Sequence, residues 1–159
     1  MTQDPVDILL SQWSQECPEQ DLSGLSIVVR LQALSTEFMR ETEHALAKVD
    51  LQHWEYDVLS ALRRQGGSYE LAASELARET LLSPGAMTNR IDKLESRGFV
   101  SRHPDPGDRR GVLVSLTKAG LLTINTAIDE RFSAAKQLVE PLSGAECQQL
   151  TELLRKLVN

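Results

Sequence analysis

Cysteine is scarce in this sequence, and long apolar runs are missing. The 159 residues include two cysteines, Cys17 and Cys147, which lie far apart and form no pair with metal-ligand spacing. We therefore expect neither a structural disulfide nor a zinc site. No apolar stretch approaches the roughly 20 residues that span a bilayer, and the chain does not open with a basic stretch followed by an apolar one. These absences predict a cytoplasmic protein that has no membrane partner.

Motifs that support catalysis are missing as well. The histidines His44, His53 and His103 have no carboxylate or cysteine at ligand spacing, and no HExxH motif occurs. No serine lies in a nucleophile-elbow context, and no glycine-rich phosphate loop is present. The sequence therefore predicts a protein that is not an enzyme, with no catalytic residues, no metal and no cofactor.

Basic charge is concentrated in one segment of an otherwise acidic chain. The net charge is −6. Residues 83–118 carry seven basic and four acidic side chains, a net charge of +3, which leaves −9 for the rest of the chain. Such a basic segment can bind a polyanion locally although the whole chain is acidic.

The spacing of apolar residues predicts helices at both ends and a small hairpin between them. A short helical piece covers 4–16 and ends at Cys17-Pro18. Helical intervals then recur over 25–49, 51–64, 72–80, 83–97, 118–140 and 144–158. Strand-like segments are found at 99–102 and 112–116, on either side of a loop rich in proline, glycine and aspartate. This order predicts a mainly α (α+β) fold, a winged helix-turn-helix with long terminal helices.

The helix predicted over 83–97 has the pattern of a helix that reads DNA. Ser83 and Pro84 favour a capped start, and an apolar stripe of Met87, Ile91 and Leu94 would anchor the helix to the core. Its other faces carry small, polar and basic side chains, namely Gly85, Thr88, Asn89, Arg90 and Lys93. Asparagine pairs well with adenine, arginine with guanine and lysine with phosphate. We expect this helix to enter the major groove of double-stranded DNA. The expected contact residues on it are Ser83, Pro84, Gly85, Thr88, Asn89, Arg90 and Lys93.

The loop between the two predicted strands adds a second basic element. Residues 103–111 place Arg109 and Arg110 near a tip stiffened by proline. An arginine at a hairpin tip can enter the narrow minor groove, where negative potential is concentrated. Asp108 beside them is interpreted as a carboxylate that orients an arginine by pairing with it.

These two segments resemble the MarR family of transcriptional regulators. Residues 82–95 are similar to the family's recognition helix, and Asp108-Arg109-Arg110 followed by Val114-Ser115-Leu116-Thr117 is similar to its wing. The resemblance covers 25–158 in element order. It implies that Arg110 is the minor-groove arginine and Asp108 its partner. It also implies a homodimer, built from the helices over 25–49, 118–140 and 144–158, that binds a palindromic operator.

We accordingly divide one compact chain into three regions. Residues 1–50 form an added helix and a dimerisation helix, 51–117 form the winged helix-turn-helix that binds DNA, and 118–159 form the C-terminal dimerisation helices. The apolar stripes of the terminal helices agree with dimerisation, because a chain of this size could not fully cover them by itself.

The helix over 51–64 offers a candidate ligand site. Asp57 and Arg64 are seven residues apart and share a helical face, about 10 Å apart along the axis. The small residues Ser60 and Ala61 lie between them and would form a shallow floor for a flat, anionic ring system. An ordinary solvated helix face would show the same spacing.

Residues 54–59, together with Arg63-Arg64, resemble the PecS or urate-responsive branch of the MarR family. That branch has an added N-terminal helix with a tryptophan, which Trp13 matches. The resemblance implies that urate, or a related purine or phenolic acid, binds through Trp13, Asp57 and Arg64, and that Arg102 connects the pocket to the DNA-binding strands. We expect Asp57 to pair with Arg102 until a bound anion disturbs the pair, so that the chain would be a repressor released by its ligand.

Two other functions stay open at this point. A regulator of the same family could sense oxidants through Cys17, in which case Cys17→Ser would abolish the response. A winged-helix adaptor could bind proteins instead, but it would not need Asn89, Arg90 and Arg110 on one face. A steep salt dependence of duplex binding distinguishes a DNA-binding protein from such an adaptor.

Overall fold

The computed structural model of the chain describes residues 3–108 and 111–158. Its helices and strands, in chain order, are α1 (Pro5–Glu16), α2 (Ser23–Ala47), α3 (His53–Arg64), β1 (Glu70–Ala72), α4 (Ala73–Glu79), α5 (Pro84–Ser96), β2 (Val100–Pro104), β3 (Val112–Leu116), α6 (Lys118–Leu138) and α7 (Gly144–Val158). The predicted helices and both predicted strands are confirmed, with ends that differ by a few residues. Among the described residues, no helix combines the length and the apolarity needed to cross a bilayer.

The chain divides into two compact units, Met1–Glu41 and Thr42–Asn159. In the first unit, α1 begins with a capping box in which Asp4 and Asp7 each accept the other's backbone N–H, at 2.9 and 3.0 Å. Arg30 of α2 binds both carboxylates, Asp4 at 2.9 Å and Asp7 at 2.6 Å. The helix ends at Cys17, directly before Pro18, as predicted. Charge pairing therefore fastens α1 to α2.

The second unit is built around α3. Val58, Leu59 and Leu62 are fully buried and pack against residues of α4, α5, the sheet and α6. The apolar stripe predicted for α5 is confirmed, since Met87, Ile91 and Leu94 are each at most 2% exposed. The core thus fixes which faces of α3 and α5 are left for function.

A three-stranded antiparallel sheet of order β1-β3-β2 lies beside these helices. The sequence pattern did not predict β1, because three residues are too few to show a strand period. Strand β2 continues to Pro104, two residues beyond the predicted end. Proline is tolerated there because β2 is an edge strand that pairs with β3 on one side.

The start of α6 is locked against the start of β2. Thr117 caps α6 by accepting the N–H of Gly120 at 3.0 Å, and its hydroxyl donates to the carbonyl of Gly98 at 2.6 Å. A Cβ at position 120 would lie 1.9 Å from the carbonyl oxygen of Phe99. Only glycine fits this approach, so Gly120 sets how closely α6 packs on the wing.

The terminal helices expose the apolar residues that the sequence places on them. On α2, Ile27 and Leu34 are 57% and 48% exposed. On α7 no described residue is buried, and Leu153 and Leu157 are 51% and 65% exposed. Exposed apolar faces of this kind on a small protein mark surfaces for association.

Candidate nucleic-acid interface and ligand cavity

Helix α5 is held by its ends and by its apolar face. Ser83 is the N-cap, as predicted, and its side chain accepts the N–H of Ala86 at 3.3 Å, with Pro84 as the first helical residue. A Cβ at Gly85 would meet nothing within 4 Å, so packing inside the chain does not require glycine there. The outward N-terminal half of α5 is therefore open to a large partner.

The polar face of α5 is exposed, as the DNA-binding hypothesis requires. Asn89 and Lys93 are exposed and Arg90 is half-buried. The Thr88 hydroxyl donates to the carbonyl of Pro84 at 3.0 Å, which leaves its methyl group and an oxygen lone pair for a ligand. These four of the seven residues that the sequence assigns to DNA contact on this helix thus lie away from the core.

Two cations of α5 lie over one indole ring. The guanidinium carbon of Arg90 is 5.3 Å from the ring centroid of Trp54, and Nζ of Lys93 is 5.9 Å from it. Within residues 3–108 and 111–158, neither cation forms an ion pair. The sequence did not reveal this contact, because Trp54 is on α3, far from α5 along the chain.

Arg97, directly after α5, is neutralised by contrast. Its Nη1 binds both carboxylate oxygens of Glu55, at 2.8 and 2.7 Å, and its Nη2 binds the carbonyl and the carboxylate of Asp50 at 2.7 Å. Glu55 is 3% exposed, and it also accepts the N–H of Gln52 at 2.9 Å as part of a capping box. Arg97 therefore ties the end of α5 to the start of α3.

The predicted pair of Asp57 with Arg102 is not formed, and this prediction is wrong. Arg102 pairs with Asp92 and Glu95 of α5, and Asp57 pairs with Nδ1 of His53 at 3.3 Å. The reason is the position of β2, which runs alongside α5 and brings Arg102 to the acidic residues of that helix. Arg102 connects the wing to the helix directly.

The wing is described up to Asp108 and again from Gly111. Its base is closed by backbone hydrogen bonds, from Asp105 to Gly111 at 3.1 Å and from Gly111 to Asp108 at 2.8 Å. Arg109 and Arg110, which the sequence assigns to DNA contact, with Arg110 as the minor-groove arginine, lie outside the described residues. The pairing of Asp108 with Arg110 therefore stays a prediction.

Asp57 and Arg64 line one cavity, as the helical spacing predicted. The cavity has a volume of about 220 Å³ and is also lined by Ser60, Glu79, Thr80 and Leu81. Arg64 donates to the Ser60 hydroxyl at 3.3 Å and pairs with Glu79 at 3.1 Å. Sequence reasoning missed Glu79, because α4 brings it in from outside α3.

The predicted floor of this cavity needs one correction. Ala61 is fully buried and faces the core, and Ser60 is 7% exposed. Helix α4, which packs against α3, supplies the opposite wall instead. Beside Asp57, burial raises the pKa of the Tyr56 phenol, so this side chain stays a neutral hydrogen-bond donor at physiological pH.

A larger cavity of about 500 Å³ lies where α2 leads into α3, lined by Glu43, Leu51, Gln52, His53 and Trp54. Its charged side chain is a carboxylate, and no arginine or lysine is among its described lining residues. An anionic ligand is therefore matched better by the cavity at Arg64. Trp13 is 48% exposed and belongs to the first unit, so its predicted role in ligand binding stays a prediction.

Comparison with known proteins gives a consistent picture. The family model described as MarR family matches residues 49–111. The transcriptional regulator PecS of Dickeya dadantii is 30% identical over 152 residues, which are 96% of this chain and 92% of that protein. The transcriptional regulator HosA of Escherichia coli O111:H- is 30% identical over 130 residues, covering 82% of this chain and 93% of that protein.

Solved structures agree with these relatives. A mutant MarR from Escherichia coli, complexed with operator DNA, has a TM-score of 0.71 and 26% identity, and the match covers 92% of this chain and 98% of that one. The regulator AbsC from Streptomyces coelicolor has a TM-score of 0.76 at 21% identity, covering 87% and 93%. The second likeness concerns the fold alone, and it confirms the predicted winged helix.

Proposed function

Because the chain belongs to the MarR family of transcriptional regulators, we propose that it is a repressor that binds a palindromic operator in double-stranded DNA as a homodimer. The chain is thus a regulator and not an enzyme, as the missing catalytic motifs predicted. We propose further that urate, or a similar small anionic aromatic compound, releases it from DNA. Because the relatives named above are bacterial regulators, and a bacterial genome lies in the cytoplasm, we propose the cytoplasm as the place of action.

The polar face of α5 carries the DNA-binding proposal. Helix α5 is anchored to the core and exposes Asn89 beside Arg90 and Lys93, two cations that pair with no carboxylate in the part of the chain that the structure describes. This arrangement meets the requirements for major-groove reading and phosphate contact. The mutant MarR of Escherichia coli, similar over 92% of this chain, was solved with operator DNA. The first observation supports this surface of α5, and the second supports DNA as the partner.

Salt-dependent binding tests this proposal. We expect the protein to bind its own upstream DNA, measured by fluorescence anisotropy, with an affinity that falls steeply between about 50 and 200 mM salt, because phosphate contacts release counterions. Lys93→Gln should lower the slope of log K against log salt by about one. The matched variant Arg78→Gln, at an exposed position of α4 outside the residues assigned to DNA contact and to dimerisation, should change neither. Salt-independent binding would favour the protein-binding adaptor.

The exposed leucines of α7 support the homodimer. Leu153 and Leu157 lie one turn apart and are both more than half exposed, and burial of such side chains against a second copy is favourable by about 1.5–3 kcal/mol each. We expect sedimentation equilibrium to give a dimer for the wild type and a monomer for Leu153→Glu. A monomeric wild type at micromolar concentration would contradict the proposal.

The cavity at Asp57 and Arg64 supports the ligand. Its volume of about 220 Å³ is below the roughly 300–1,000 Å³ of sites for drug-sized molecules, which favours a compound of one or two rings. Arg64 supplies donors for an anion, and Asp57 an acceptor for a ring N–H. An anion at Arg64 competes with Glu79 of α4.

The competition with Glu79 suggests how binding reaches the DNA. Release of Glu79 would loosen α4, which packs on α5. Such a route replaces the predicted Asp57–Arg102 pair, because Arg102 is engaged with α5 itself. The ligand releases DNA only if it binds the DNA-incompetent state more tightly, since equal affinity shifts no equilibrium.

A duplex-binding titration with and without urate and xanthine tests the ligand. Both Arg64→Ala and Glu79→Gln break the Arg64–Glu79 pair, so by this route both should bind DNA more weakly than the wild type in the absence of ligand. Arg64→Ala should also lose the response to the ligand, whereas Glu79→Gln should respond at a severalfold lower ligand concentration, because the competing carboxylate is gone. The control is Arg78→Ala, which like Arg64→Ala removes one positive charge but lies on α4 outside the cavity. Its ratio of DNA affinities with and without ligand should equal that of the wild type. An undiminished response in Arg64→Ala would remove Arg64 from the site. Trp13→Leu tests the remaining predicted ligand residue in the same assay.

A further inference from the structure

Trp54 lies at the second position of α3 and packs against the core from its edge. Its indole N–H donates to the side-chain oxygen of Gln52 at 2.5 Å. The ring is thereby fixed at both ends, by the core on one side and by a hydrogen bond on the other. A ring that is held in place can order flexible side chains that lie against it.

The side chains on this ring are Arg90 and Lys93, at 5.3 and 5.9 Å from its centroid. Both distances are within the roughly 6 Å at which an aromatic face attracts a cation. These are long side chains, and each loses rotamer freedom when it is held for a phosphate. The indole ring holds them before DNA arrives.

A cation held by an aromatic ring differs from a cation held by a carboxylate in the charge that it presents. Two other cations near α5 are held by carboxylates, Arg97 by Glu55 and Arg102 by Asp92. A carboxylate cancels the charge that it orients. The quadrupole of an aromatic ring orients a cation but leaves its full charge available to a polyanion.

We propose that Trp54 is a positioning residue for DNA binding, which holds Arg90 and Lys93 in place without neutralising them. This inference rests on the proposed DNA binding of α5. Trp54 itself need not touch the duplex. Its effect acts through the two cations and disappears when they are absent.

Trp54→Leu tests the inference, because it keeps an apolar side chain and removes the aromatic face. We expect duplex binding about tenfold weaker than wild type, from the ordering cost that returns to the two side chains. Trp54→Phe, which keeps a weaker aromatic face, should lose less.

A double-mutant cycle distinguishes positioning from a general structural effect. In an Arg90→Ala, Lys93→Ala background, Trp54→Leu should cause no further loss of affinity, because no cation is left to position. A tenfold loss in that background would overturn the inference, and so would an unchanged affinity of Trp54→Leu in the wild-type background. If the wild type itself does not bind its upstream duplex at low salt, the DNA-binding proposal falls, and the inference with it.

NMR of the free protein tests the contact with the ring in the absence of DNA and also shows whether the variant is folded. The side-chain methylene protons of Lys93 and Arg90 should show upfield ring-current shifts in the NMR spectrum of the free protein. Trp54→Leu should remove these shifts, and the amide spectrum should show that the variant is folded. Methylene shifts that are the same in wild type and variant would contradict the contact itself.

Discussion

The ion pair between Arg97 and buried Glu55 gives a sharp prediction for stability. The Glu55 carboxylate is 3% exposed and receives the Nη1 donor of Arg97 at 2.8 and 2.7 Å. In Arg97→Ala, the Glu55 carboxylate would keep one hydrogen-bond donor among the described residues, the N–H of Gln52. Loss of one partner of a buried pair costs about 3–5 kcal/mol. Because the Arg97 side chain is 30% exposed and water can enter, we expect the low end, about 3 kcal/mol.

Urea denaturation followed by circular dichroism measures this loss. With an m value of about 2 kcal/mol/M, the midpoint should fall by about 1.5 M. The control is Arg40→Ala, which breaks a pair that is 69% and 45% exposed and should cost less than about 1 kcal/mol. All variants are compared at one protomer concentration, since association of copies raises apparent stability.

The cycle with Glu55→Gln tests the cause of the loss. Once the buried charge is gone, Arg97→Ala should cost at least about 1 kcal/mol less than it does in the wild type. Additive losses would refute the charge-pair reasoning, as would a midpoint for Arg97→Ala that matches that of Arg40→Ala.

Two further predictions concern packing and pH. Gly120→Ala should lower the free energy of unfolding by about 1–3 kcal/mol in the same urea assay, because the added Cβ would lie 1.9 Å from the Phe99 carbonyl oxygen. The control is Gly144→Ala, whose Cβ would meet nothing within 4 Å and which should change the free energy of unfolding by less than about 0.5 kcal/mol. Equal effects of the two substitutions would contradict the clash. The pKa of Asp4 is held below its ordinary 3.8 by the backbone N–H of Asp7 and by Arg30. Its stabilising contribution is therefore complete above that ordinary value and is lost as pH falls through the lowered pKa. Amide protons of α1 should exchange faster, relative to intrinsic rates, at about pH 3 than at about pH 5, and Asp4→Asn should reduce that difference.

The elements of this fold were accessible from the sequence wherever the signal was local. The start of α5 at Ser83 and Pro84, and the apolar stripe beneath its polar face, depend on residues within a few positions of each other. Asp57 and Arg64 share a cavity because seven residues are two helical turns. The short strand β1 escaped prediction because its pairing partner, β3, lies some forty residues away.

The partners of the charged residues were decided by the tertiary structure. Arg102 was expected to pair with Asp57, but the hairpin places it against α5. Likewise, the indole that holds Arg90, and the carboxylate that competes for Arg64, come from other helices.

The amino-acid sequence by itself determined the helices, the hairpin, the exposed face of α5 and the family to which the chain belongs, because each of these depends on spacing along the chain. Only the tertiary structure decided which cations are neutralised and which stay available. Charge pairing requires atoms to meet within a few ångströms, and packing of α3 against α4 and α5 brings together residues that no sequence period connects.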